Sequence, residues 1–140
     1  MNKPNLFILG APKCGTTSVA AWLGEHQDVF LSNPKEPNYF SHGEFLPDRV
    51  SHIEYTLADY ESLFAEANNS KVIMEASTNY MLHSRAVLPK ILDYNPNAKF
   101  VVCLREPVSM AVSLHAERIF QGEEDVLDFE CAWLLNDDRA

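Results

Sequence analysis

Apolar positions along the chain fall in short blocks, separated by segments rich in proline, glycine and asparagine. Residues 5–11 (NLFILGA) are an apolar run closed by Gly10 and Pro12, the pattern of a strand buried on both faces. Residues 16–25 carry Val19, Ala20, Trp22 and Leu23 at helical spacing, so the first unit reads strand, tight loop, helix, with Trp22 assigned to the core. Residues 29–31 form a second short strand. Residues 33–40 (NPKEPNYF), with two prolines, are a charged loop. No period is convincing over residues 41–55. Residues 57–67 read as a helix ending in the turn signal Asn68-Asn69, and residues 71–76 (KVIMEA) as a strand. Residues 84–94 read as a helix in which Pro89 predicts a kink or a late start. Residues 99–104 (KFVVCL) are the clearest strand; a helix over residues 108–120 follows, with Pro107 in its first turn, and a last helix is expected over residues 126–135.

Strands alternating with helices predict an α/β fold: three layers around a mainly parallel sheet, with the ligand site beyond the carboxyl ends of the strands. A length of 140 residues with 46% hydrophobic content fits one globular domain. The net charge of -9 excludes nucleic acid as a partner of the chain as a whole, while a local basic site can still take a small anion. The three cysteines, Cys14, Cys103 and Cys131, are odd in number, widely spaced and without a CxxC pair, which argues against a disulfide framework and against a metal site. The apolar run near the N-terminus is too short for a signal core or a membrane span, so a cytoplasmic location without a membrane partner is expected.

Residues 10–18 (GAPKCGTTS) carry the chemistry, because they join the first strand to the first helix where a P-loop would stand. Gly10 and Gly15 permit close backbone approach. The amides of Gly15, Thr16 and Thr17 open a helix whose N-terminus carries about half a positive charge, a setting that binds phosphate. Thr16, Thr17 and Ser18 add hydroxyls, and Lys13 can lean over a group attached to that phosphate. The triphosphatase pattern GxxxxGK[ST] is absent, since Thr16 follows Gly15; this weighs against a kinase or nucleotide triphosphatase. The structural alternative has Thr16 capping the helix and Lys13 merely solvated.

This loop, as Pro12, Lys13, Gly15, Thr16 and Thr17, resembles the PKxGTTx loop of sulfotransferases that use 3'-phosphoadenosine 5'-phosphosulfate (PAPS). The resemblance implies that the loop, Cys14 and Ser18 included, holds the 5'-phosphate and that Lys13 contacts the phosphosulfate bridge. Residues 103–113 (CLREPVSMAVS) resemble the family's 3'-phosphate motif, with Arg105 ending a strand and Ser113 on the helix after it. An arginine fork there offers a phosphate a charge-assisted bond worth roughly 1.5–3 kcal/mol, about tenfold to a hundredfold in affinity. The bland reading of this segment is an Arg105–Glu106 surface pair and a solvated Ser113.

For the acceptor side, residues 35–40 (KEPNYF) resemble the KExxxF stretch of heparan-type and bacterial sulfotransferases, which implies Glu36 as general base. Partial burial there would raise its pKa. His42 and His83 are the alternative bases, with Glu36 preferred. Residues 75–80 (EASTNY) resemble the EKSPxY segment of the acceptor cleft, with Ala76 in place of its lysine, so an uncharged small-molecule or glycan acceptor is expected. Cys14, beside Lys13 and a helix N-terminus, has the setting of a reactive thiol, though a plain loop residue is the simpler reading. The resemblance further implies a single domain over residues 1–140 that is shortened on its C-terminal side. It implies PAPS as co-substrate, adenosine 3',5'-bisphosphate as product and no metal. A non-catalytic PAPS-binding fragment is the alternative of a different class.

Overall fold

The computed structural model describes residues 2–41 and 55–135. Two compact units are present, Met1–Leu104 and Arg105–Ala140.

The first unit is built on four parallel strands: β1 (Leu6–Ile8), β2 (Val29–Leu31), β3 (Val72–Ala76) and β4 (Lys99–Val101), in the order β2-β3-β1-β4. Strand alternation divides the apolar residues between two faces. Phe7, Leu9 and Ile73 join Phe40, Tyr60, Phe64, Tyr80, Val87 and Ile91 in one core. Ile8, Met74 and Ala76 join Ala20 in the other. The first core packs under α2 (Leu57–Ser62) and α3 (Ser84–Tyr94), the second under α1 (Thr16–Gly24). Helices thus flank both faces of a parallel sheet, as the alternation of elements predicts.

The chain leaves β1 through α1 toward β2, and leaves β3 through α3 toward β4 on the opposite face. The strand order therefore reverses between the adjacent β1 and β3. In such a sheet the crevice beyond the carboxyl ends at the switch point is the natural ligand position.

Several predicted elements differ in extent. The expected helix over residues 57–67 stops at Ser62 and resumes as a 3-10 turn, Ala65–Ala67. The Ser62 hydroxyl donates to the Asp59 carbonyl at 2.6 Å, occupying the acceptor that Leu63 would need. Leu63 and Phe64 then bond three residues back, to Tyr60 and Glu61. The N-terminus of α2 is fixed by a capping box between Thr56 and Asp59. Pro89 does not delay α3, which begins at Ser84 and buries Val87 and Ile91 fully while Pro89 faces out. Trp22 is not a core residue: it is 69% exposed, because it lies about 200° around the helix from the buried Ala20 that faces the sheet.

The second unit holds α4 (Pro107–Gln121) and α5 (Phe129–Leu134). Glu106 caps α4 by accepting the amides of Val108 at 2.9 Å and Ser109 at 2.7 Å, and Pro107 occupies the first turn as expected. Those amides hold the Glu106 carboxyl below its ordinary pKa. The last helix starts at Phe129 rather than at residue 126, because Asp128 takes the N-cap and accepts the Cys131 amide at 2.9 Å.

Candidate functional site

Three of the loops that leave the carboxyl edge of the sheet are tied together in the first unit. The loop after β1 begins with Gly10 at φ 138°, a conformation that favours glycine. A Cβ there would lie 2.6 Å from the Thr78 carbonyl oxygen and 3.0 Å from the Met81 Cβ, so the loop after β1 passes directly against the segment after β3. Met81 donates its amide to the Leu9 carbonyl at 2.8 Å, and Ser77 donates to Ile8 at 3.0 Å.

Gly15 is the N-cap of α1, in the left-handed region at φ 79°. The expectation that Thr16 caps the helix therefore does not hold; Thr16 is the first helical residue and is buried, and the cap position has no side chain to bond the first-turn amides. The amides of Thr16, Thr17 and Ser18 precede the first intrahelical donor, Val19, which bonds the Gly15 carbonyl at 3.0 Å. Donors in this position have no partner within a helix. Thr17 and Ser18 are exposed, and Lys13 and Cys14 are half-buried, with Lys13 at φ 59°. The end of α1 thus presents amides, two hydroxyls and open space to an anion, and the structure brings Lys13, Cys14, Gly15, Thr16, Thr17 and Ser18 into one loop.

Glu36 follows β2 and is itself left-handed, at φ 62°, as is Asn38 at φ 53°. The Glu36 amide donates to the Ala76 carbonyl at 3.0 Å, which docks the loop after β2 on the end of β3. One carboxylate oxygen pairs with the Lys35 ammonium at 2.5 Å, and the other accepts from the Thr78 hydroxyl at 3.3 Å. Thr78 is thus the shared neighbour, its hydroxyl on Glu36 and its carbonyl against Gly10. Of the alternative bases, His83 precedes α3 as its N-cap residue and His42 lies outside the described residues. Ala76 is fully buried in the core under α1 and offers the cleft no charge.

A group that sequence reasoning assigned no role lies directly beneath this loop. Glu75, on β3, is fully buried and accepts the hydroxyls of Tyr60 and, at 2.7 Å, of Ser77. Burial pushes its carboxyl above the ordinary value, and the neighbouring hydroxyls of Tyr60, Tyr80 and Ser77 oppose that rise. The signal that could have exposed it is a carboxylate inside an otherwise apolar strand run, at a position facing the aromatic core.

In the second unit, Arg105 is exposed just before the N-cap of α4, and Ser113 is half-buried on that helix. Six residues separate Pro107 and Ser113, a rise of about 9 Å. Among the described residues, no group of three or more His, Cys, Asp or Glu side chains could hold a metal, and no helix is long and apolar enough to cross a membrane. None of the three cysteines is in a disulfide.

A parallel sheet with helices on both faces and a glycine-capped helix N-terminus at its switch point defines an α/β protein of the doubly wound class. The sulfotransferase domain family model matches residues 3–133, and the chain belongs to that family. It is 30% identical over 116 residues to the human heparan sulfate glucosamine 3-O-sulfotransferase 6, covering 83% of this chain and 31% of that protein. With the membrane-associated sulfotransferase kil1 of Dictyostelium discoideum it shares 28% identity over 110 residues, 79% of this chain and 22% of that one. Human carbohydrate sulfotransferase 15 is 29% identical over 152 residues, covering 79% and 26%. Among solved structures, a sulfotransferase from Alicyclobacillus acidocaldarius superposes with a TM-score of 0.86 at 28% identity, covering 99% of this chain and 59% of that one. The chain spans less than a third of the length of these three relatives.

Proposed function

We propose that this domain binds PAPS and transfers its sulfuryl group in line to a hydroxyl or amine of a small-molecule or glycan acceptor. The observation that carries the reading is the glycine-capped N-terminus of α1 at the switch point, with Lys13 in the same loop. The amides of Thr16 to Ser18 and the hydroxyls of Thr17 and Ser18 hold the 5'-phosphate, where the helix N-terminus favours negative charge. Lys13 neutralises charge on the oxygen that bridges phosphorus and sulfur as that bond breaks. Arg105 and Ser113 take the 3'-phosphate, a role supported by the exposed guanidinium and by its spacing from the helical serine.

Glu36 removes the acceptor's proton while the acceptor oxygen or nitrogen forms its bond to sulfur, and the bisphosphate leaves. To do so the carboxylate exchanges its Lys35 partner for the acceptor, while Thr78 keeps its other oxygen oriented. A glycan acceptor is supported by the names of two relatives, a heparan sulfate glucosamine enzyme and a carbohydrate enzyme. Ala76, which replaces the lysine of the EKSPxY segment and carries no charge, favours an uncharged acceptor. A reducing, cytoplasmic setting belongs to the same proposal and rests on the three cysteines outside any disulfide.

Calorimetric titration with adenosine 3',5'-bisphosphate, 5'-AMP and magnesium-ATP tests the donor. The bisphosphate is expected to bind best, and Arg105→Ala to weaken it about tenfold to a hundredfold while leaving 5'-AMP unchanged. Preference for magnesium-ATP would replace sulfuryl transfer by phosphoryl transfer.

A further inference from the structure

Directly under the acceptor loop, two main-chain amides are held by side-chain hydroxyls. Asn38 donates its amide to the Ser77 hydroxyl oxygen at 3.1 Å, and Phe40 donates to the Tyr80 hydroxyl oxygen at 3.1 Å. A hydroxyl that accepts in this way must send its own proton elsewhere. Ser77 sends it to one oxygen of the Glu75 carboxyl at 2.7 Å, and Tyr60 donates to the other, with the Tyr80 hydroxyl beside them. A carboxyl that takes the Ser77 proton fixes the rotation of that hydroxyl, so its lone pair points at the Asn38 amide.

The loop requires this. Glu36 and Asn38 both sit in the left-handed region, which costs each non-glycine residue free energy and persists only where surroundings over-determine it. The bonds from Asn38 and Phe40 flank that segment, and the Asn38 side chain closes it by donating to the Glu36 carbonyl at 2.9 Å. Glu75, Ser77, Tyr60 and Tyr80 are all fully buried, so water cannot substitute for a lost partner.

We propose that Glu75 is a positioning residue for Glu36, setting the acceptor loop through a buried relay from its carboxyl to the Ser77 hydroxyl to the Asn38 amide, alongside the Tyr80 hydroxyl that holds the Phe40 amide. Glu75 touches no acceptor; it determines where the base points. This role rests on the assignment of Glu36 above, and the order it imposes on the loop can be measured without that assignment.

The test is native-state amide exchange on the intact chain with Glu75→Gln, Ser77→Ala and Tyr80→Phe, together with turnover and bisphosphate affinity and with Glu36→Gln as reference. Ser77→Ala should speed exchange at Asn38, and Tyr80→Phe at Phe40, each by about tenfold beyond any global change. Glu75→Gln, whose amide nitrogen cannot accept a hydroxyl proton as the second carboxylate oxygen does, should speed exchange at Asn38. Turnover should fall in parallel at unchanged acceptor KM and unchanged bisphosphate affinity. Uniform or unchanged exchange overturns the role of Glu75, whatever Glu36 does. Selective exchange with full turnover in Glu75→Gln but not in Glu36→Gln also overturns it, leaving Glu36 as the base. Selective exchange with an active Glu36→Gln variant removes the base assignment and keeps Glu75 as the residue that orders the loop.

Discussion

Replacing Gly10 by alanine isolates the contact that joins the loop after β1 to the segment after β3. The added Cβ would lie 2.6 Å from the Thr78 carbonyl oxygen, a main-chain atom that cannot rotate away, and the residue would have to hold φ 138°. Overpacking of this kind costs about 1–3 kcal/mol and a forbidden backbone conformation about as much again, so the substitution should destabilise the fold by ~2–6 kcal/mol. Against a total stability of about 5–15 kcal/mol this is a large fraction. For a chain of this size the middle of that range lowers the thermal midpoint by roughly 8–16 °C. Gly15→Ala is the matched control, because a Cβ there meets nothing within 4 Å. Only its left-handed φ of 79° must be accommodated, at ~1–2 kcal/mol. Urea denaturation of both variants should rank Gly10→Ala well below Gly15→Ala in midpoint. Bisphosphate titration should show Gly15→Ala weakened by more than about tenfold, since its new methyl occupies the open space at the end of α1. Equal destabilisation by the two substitutions, or a Gly10→Ala midpoint within error of the parent, would refute the close approach of the loop to Thr78.

Glu36→Gln should lower turnover by about 100- to 10,000-fold while leaving bisphosphate affinity intact; a loss confined to acceptor KM would make Glu36 a binding group only. Glu75 gives stability a pH dependence of definite sign. Its folded-state pKa lies above the ordinary value of 4.5 because of burial, so the folded protein binds its proton more tightly than the unfolded chain. The stabilisation is complete below the ordinary value and is lost as pH rises through the raised one. Exposed Asp59, Glu106 and Asp128, held low by hydrogen bonds, slope the other way. The difference between parent and Glu75→Gln denaturation midpoints across pH therefore isolates the Glu75 contribution, and a flat difference would contradict its buried titration.

The sheet and its order of elements were readable because short apolar runs bounded by glycine and proline have few alternatives as strands. The strand-loop-helix unit around residues 10–18 was readable because its residues are contiguous, and local sequence carries the strand, the turn and the helix start together. Trp22 misled because a nine-residue helix offers too few turns for helical spacing to say which side meets the sheet. The break after Ser62 came from a hydroxyl competing for one carbonyl, which periodicity does not register. Glu75 escaped assignment for a different reason. Its partner Tyr60 and its neighbour Tyr80 arrive from α2 and from the turn after β3, and only the folded chain sets them around one carboxyl.

The contacts between the three loops run mainly through main-chain atoms: Gly10 against the Thr78 carbonyl, Met81 to Leu9, and Glu36 to Ala76. Backbone joints of this kind are indifferent to the side chains that project from them. Half-exposed positions such as Lys35 and Asn79 can therefore be exchanged without disturbing the joints between the three loops, which makes this edge of the sheet an interchangeable front on a fixed backbone frame.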